Sequence, residues 1–181
     1  KIVLNEIPSK RKLTFNNDPE KHTLLKTAEI EGPFCDALIH KFTIVVGTKG
    51  SANENKKLKA LGDTLVAMWI YKYWNTCVIK KDVEINQKDI NTSNLILLGN
   101  DKTNLWLSKI ILELPLKINK GEVSISDKTV KGERLGFYMV YPNPMNKHNY
   151  VAIIGSNNYN SITLGPVDLH KEDYKGYNEW L

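Results

Sequence analysis

Cysteine is scarce: Cys35 and Cys77 are the only two in 181 residues. Neither has a partner at the short spacing a zinc site uses, and two thiols do not make a disulfide scaffold. Buried free thiols are the expectation; a Cys35–Cys77 disulfide stays open, because it depends on a Cα separation that sequence does not carry. Histidine is nearly as rare, and His22, His40, His148 and His170 show no His-x-x-x-His spacing, so they read as lone surface residues with no metal site. Long apolar runs are missing too. No stretch approaches the roughly 20 residues of a membrane helix, and no charged-then-apolar signal peptide opens the chain, which is expected to be soluble without a membrane partner. The Gly-x-Ser-x-Gly elbow of a serine hydrolase is absent, since neither Ser51 nor Ser156 has that context. No catalytic set is therefore expected here, and no cofactor.

What is present is ordinary globular composition, 41% apolar and 25% charged, in a length that suits one domain. The net charge of +5 comes from lysines scattered from Lys10 to Lys120 rather than from one basic face with stacking aromatics, so a solvated surface is expected and a nucleic-acid partner is not. Lys1 begins the chain without a methionine and leads at once into Ile2-Val3-Leu4, which suggests a piece of a longer polypeptide. Residues 1–31, broken by Pro8 and by Asn16-Asn17-Asp18-Pro19, read as a β lead-in or linker from a preceding domain. Glu31-Gly32-Pro33-Phe34 punctuates the chain before a main domain over 32–181.

Two strand–loop–helix units open that domain. The apolar, β-branched run Phe42–Gly47 predicts a strand buried on both faces. Ser51-Ala52-Asn53-Glu54 has the spacing of a capping box, and Leu58, Leu61, Leu65, Met68 and Trp69 then form a helical stripe with Lys56, Lys57, Lys59 and Asp63 turned to water. Cys77-Val78-Ile79 reads as a second strand, Asn94–Gly99 as another buried one, and Leu105 to Leu114 as a helix that stops near Pro115. Past Pro115, Glu122–Asp127 alternates into a turn at Lys128-Thr129 and a return strand from Val130. Gly136–Tyr141 and Tyr150–Gly155 flank a turn over Pro142–Asn146 as antiparallel edge strands. The expected fold is α/β: a doubly wound, flavodoxin- or Rossmann-like, mainly parallel sheet with right-handed crossovers and added antiparallel hairpin and edge strands.

In such a sheet the loops after the buried strands share one crevice. Gly47, Thr48, Lys49, Gly50 and Ser51 form a glycine-bearing loop at a helix start, where N–H groups and the helix dipole suit an anion. Gly99, Asn100, Thr103 and Asn104 lie on the second loop and offer neutral hydrogen bonds to the same ligand. Neither loop has the Gly-x-x-x-x-Gly-Lys-Ser/Thr or Gly-x-Gly-x-x-Gly pattern, and the structural alternatives are chain turning by the glycines and helix capping by Asn100 or Asp101. Trp69, Trp74 and Trp106 are expected to be packing residues. Tyr174, Tyr177 and Trp180 form an aromatic tail that docks on this domain or on a neighbour.

In order, Gly32-Pro33-Phe34-Cys35-Asp36-Ala37, Phe42–Gly47, Asn94–Asn104 and Tyr141-Pro142-Asn143-Pro144 resemble the C-terminal, flavodoxin-like accessory region of bacterial secreted or periplasmic α/β-hydrolases of the prolyl-oligopeptidase or esterase type. The resemblance covers residues 31 to 181. It departs at Phe34-Cys35, where that pattern has an aliphatic residue and an acid. It implies a catalytic triad upstream of Lys1, a secreted or periplasmic parent, and an upstream hydrolase domain as partner, with no catalytic residue carried onto this chain. The functional expectation is thus a non-catalytic accessory domain packing on or extending a hydrolase; the alternative is a small-molecule binding or enzymatic domain that takes an anionic ligand in the crevice.

Overall fold

The computed structural model describes residues 32–158. The lead-in expected over 1–31 and the aromatic tail lie outside the described residues, as do His22 and His170. Within them the elements run α1 (Asp36–Ile39), β1 (Phe42–Val46), α2 (Ala52–Tyr73), β2 (Val78–Lys81), α3 (Gln87–Thr92), β3 (Asn94–Leu98), α4 (Leu105–Ile110), β4 (Leu116–Asn119), β5 (Glu122–Ile125), β6 (Lys128–Lys131), β7 (Gly136–Asn143) and β8 (Asn146–Ser156). They build an α/β structure: a five-stranded mixed sheet in the order β2-β1-β3-β8-β7, and a separate antiparallel sheet β4-β5-β6.

β1 pairs in parallel with both β2 and β3, and β3 pairs in parallel with β8. Every residue of β1 and of β3 is buried, as their almost wholly apolar runs require. The pleat splits them between two cores. Ile44, Val46, Ile96 and Leu98 face α1 and α2 with Leu58 and Leu61, while Val45, Leu95 and Leu97 face Ile90 of α3, Leu107 and Ile110 of α4, and Leu116 and Val123 of the small sheet.

α2 starts where the capping box places it: the Glu54 amide donates to Ser51 Oγ, and Glu54 Oε2 accepts from the Ser51 amide at 2.8 Å. Three short elements have no counterpart in the expected set: α1, with four residues, α3 and β4. α3 has only six residues, too few for a periodic stripe, although its Asn86–Asp89 capping box was there to be read. β4 has four residues and turns through Lys120-Gly121, with Gly121 at φ 84, into β5. Lys80 of β2 and Asp89 of α3 form an ion pair at 2.7 Å. Burial works to raise the Asp89 carboxyl, but hydrogen bonds from Lys80 and from the Asn86 amide outweigh it and hold the group below its ordinary range.

Several expectations are corrected. The hairpin turn lies at Ser126-Asp127, with Ser126 at φ 54, because Ile125 pairs with Lys128; Lys128 and Thr129 already belong to the return strand. β7 runs on through Pro142 to Asn143. Of the final pair only β7 is an edge strand; β8 is internal, parallel to β3 on one side and antiparallel to β7 on the other, and accordingly Tyr150, Val151, Ala152 and Ile153 are buried. The second helix is α-helical only to Ile110 and closes as a 3-10 turn, Ile111–Glu113, before Pro115. Both cysteines are free, but Cys35 is exposed and Cys77 only half-buried, with burial pushing the Cys77 thiol up. Trp74 is 93% exposed in a left-handed conformation at the end of α2, so it is not a packing residue within residues 32–158.

Candidate functional site

The two glycine-bearing loops meet at the carboxyl edge of β1 and β3, as the topology requires, and they touch directly. The Lys49 amide donates to the Thr103 carbonyl at 2.9 Å, and the Gly47 amide donates to the Leu98 carbonyl at 3.1 Å. A Cβ on Gly47 would stand 2.5 Å from the Thr103 carbonyl oxygen, so the glycine admits another stretch of this chain rather than leaving a gap. Gly50 is less crowded: a Cβ there would meet side-chain atoms of Glu54 and Thr103 at 3.0 Å and of Asn55 at 3.1 Å. Gly99, at φ 133, makes the bend out of β3.

The residue that joins these loops is Asp82, just past the end of β2 and fully buried. Its Oδ2 accepts from the amides of Thr48 at 3.1 Å and Leu105 at 2.8 Å, and its Oδ1 accepts from the Thr48 hydroxyl. Its backbone carbonyl accepts from Trp106 Nε1 at 2.8 Å, and Lys109 lies over the Trp106 ring. One carboxylate thus ties the ends of β1, β2 and α4 together. Sequence reading missed it because a single Asp beside Lys81 carries no local pattern.

Asn104 is also fully buried, and it caps α4, where Asn100 or Asp101 was expected to. Its Oδ1 accepts from the amides of Trp106 and Leu107, while its Nδ2 donates to the carbonyls of Val45 and Leu98. Asn100 instead folds its own loop, accepting from the amides of Lys102 and Thr103, and donates to the Ser156 carbonyl of β8. Thr103 Oγ1 accepts from the Asn100 amide. Asn55, unnoticed in the sequence, donates to the carbonyls of Thr48 and Gly50 and holds the first loop on α2. Lys49 reaches Ser108 Oγ of α4 at 3.2 Å and is exposed.

The chemical consequence is specific. Among the donors a crevice anion would use, the first three amides of α4 are bound to Asp82 and Asn104, the Thr48 amide to Asp82, and the Ser51 amide to Glu54. Protein oxygens stand where a ligand's oxygens would. An open cleft of about 470 Å³ lies to the side, between the β3–α4 loop and the β4–β5 turn, and its lining includes Asn100, Asp101, Lys102, Lys120, Glu133 and Asn158. The ammonium groups of Lys102 and Lys120 have no hydrogen-bond or ion-pair partner among the described residues.

His40 and His148 are exposed, and no group of three His, Cys, Asp or Glu side chains suited to a metal ion occurs among the described residues. No described helix is long and apolar enough to cross a membrane. Asp36, in the segment that carried the family resemblance, receives a short hydrogen bond from the Tyr150 hydroxyl, which also accepts from the Gly32 amide, so this segment anchors α1 on β8.

Fold and site together define an α/β structure whose β1–α2 and β3–α4 loops are cross-linked by its own side chains. The chain matches no protein-family model and no curated protein.

Proposed function

We propose that this chain supplies a non-catalytic accessory domain that packs on or extends the catalytic domain of a larger secreted hydrolase, using a doubly wound, flavodoxin-like arrangement as a scaffold. The order β2-β1-β3, with α2 on one face and α3 and α4 on the other, supports that arrangement; β8 and β7 take the places beyond β3. The observation that carries the functional reading is the buried network of Asp82, Asn104 and Thr48. In a doubly wound sheet this is the position at which ligands and catalytic groups gather, and here its donors serve to weld loops together. The chain should release no product from p-nitrophenyl esters or peptide anilides above the buffer rate. Turnover abolished by a single side-chain substitution in this chain would overturn the reading.

The cleft beside Lys102 and Lys120 favours a second reading, a domain that binds a small anionic ligand. Thermal melting against nucleotides, sugar phosphates, flavins and carboxylates separates the two, since a ligand bound only by the native state raises the midpoint. The accessory reading expects a flat panel. A saturable upward shift that Lys102→Glu and Lys120→Glu both remove would establish the ligand instead.

A further inference from the structure

α2 is much longer than the sheet it covers. Its 22 residues extend about 33 Å, whereas the five residues of β1 extend about 17 Å. Its buried residues, Leu58, Leu61 and Gly62, all lie in its first half. Trp69 already packs edge-on against Phe42, the first residue of β1, at 4.8 Å between ring centres, so the turn that follows lies past the amino edge of the sheet. Tyr73 continues the stack on Trp69 at 4.3 Å and is 51% exposed, Ile70 is 44% exposed and Trp74 is almost bare. Ile70, Tyr73 and Trp74 are spaced as one helical face, and Ile39, three residues before Phe42, is another exposed apolar side chain at this edge. These exposed aromatic and aliphatic side chains gather at the overhanging end of α2, and exposed apolar patches mark binding surfaces.

The two ends of the described chain leave from opposite edges. Asn158 follows the carboxyl end of β8, remote from this surface. Gly32, in contrast, is held by the hydroxyl of Tyr150, whose amide donates to Asn94, the partner of Phe42 across the β1–β3 pair. Gly32 therefore lies at the amino edge, on the α2 face, about 10 Å from β1 at the usual strand spacing. The 31 residues before Gly32 are ample to cross that distance, and those nearest to it include the apolar residues Leu24, Leu25 and Ile30.

We propose that the stretch from Leu24 to Ile30 seats on the overhanging end of α2, against Ile70, Tyr73 and Trp74. This deepens the accessory-domain reading, because it makes α2 the strut that fixes the domain to whatever precedes it, but its test is separate from the hydrolysis assay. The experiment is hydrogen exchange on the 181-residue chain and on its Ile70→Asp/Trp74→Asp variant, read in peptides covering residues 23–31. Protection of tenfold or more, roughly 1.4 kcal/mol, is expected in the parent chain and should vanish in the variant, while β1 and β3 stay protected in both. Three results would overturn the proposal: full exchange of 23–31 in the parent chain, protection that the variant retains, or protection lost on dilution together with a dimer-to-monomer shift in sedimentation, which would assign the surface to a second copy. If the variant loses β1 protection as well, the single substitution Trp74→Ser, at a site that touches solvent on nearly all sides, decides by the same readout.

Discussion

Replacing Asp82 with Ala should destabilise the domain by about 3–5 kcal/mol in urea or guanidinium unfolding. The carboxylate is fully buried and accepts from two backbone amides and a hydroxyl. Its removal leaves the Thr48 and Leu105 amides without acceptors in the interior, each costing roughly 1–3 kcal/mol, and opens a cavity between three elements. Since a domain is stable by about 5–15 kcal/mol, this is a large share of the total. Asp82→Asn should cost much less, about 1–2 kcal/mol, because its amide oxygen still serves the two backbone donors and the Thr48 hydroxyl is able to turn and accept. Equal losses from Ala and Asn would mean that the negative charge, rather than the hydrogen bonds, holds the loops, and a loss under 1 kcal/mol from Ala would remove Asp82 from the centre of this account.

Asn104→Ala should lose about 3 kcal/mol, more than the roughly 1 kcal/mol typical of a helix cap. The surplus comes from its second role. The same side chain that caps α4 donates to the carbonyls of Val45 and Leu98, bracing β1 against β3 at their carboxyl ends. Asn104→Asp separates the two roles. It keeps the capping oxygen but points a second oxygen at two carbonyl oxygens, so it should be at least as damaging as Ala near neutral pH. A mild Asn104→Asp, measured by the same denaturant unfolding, would show that the cap alone matters.

Both experiments probe side chains that tie the Gly47 and Gly99 loops together. Gly47 shows most directly how close those loops come. A glycine after a parallel strand suggested close backbone approach, and close approach is what the position provides, but the approaching group is the Thr103 carbonyl and not a phosphate. The residue type encodes the lack of space without naming the occupant.

Local signals were legible wherever neighbours in sequence are neighbours in space. The both-face burial of β1 and β3 follows from almost wholly apolar runs, and the start of α2 from the reciprocal geometry of Ser51 and Glu54. The stop near Pro115 follows from a ring that supplies no amide. Short elements were harder, since α3 and β4 are too brief for a period to emerge against background. The hairpin turn was misplaced by two residues because Ser126 adopts positive φ without being glycine, so the usual marker is absent.

What the sequence determined by itself is the set of segments able to lie inside a sheet, the caps that begin helices, and the meeting of the Gly47 and Gly99 loops at one edge. Only the tertiary structure decided which groups those loops bond to. Asp82 lies 34 residues from Thr48 and 23 from Leu105 along the chain, and it becomes their shared acceptor only once β2 has paired beside β1 and α4 has packed below. The same holds for β8, whose apolar stretch did not reveal that it would be covered on both sides, and for Trp74, whose exposure depends on a helix outrunning its sheet. Hydrogen-bond partners and burial are set by pairing across the chain, and composition or periodicity within a short window carries no record of that pairing.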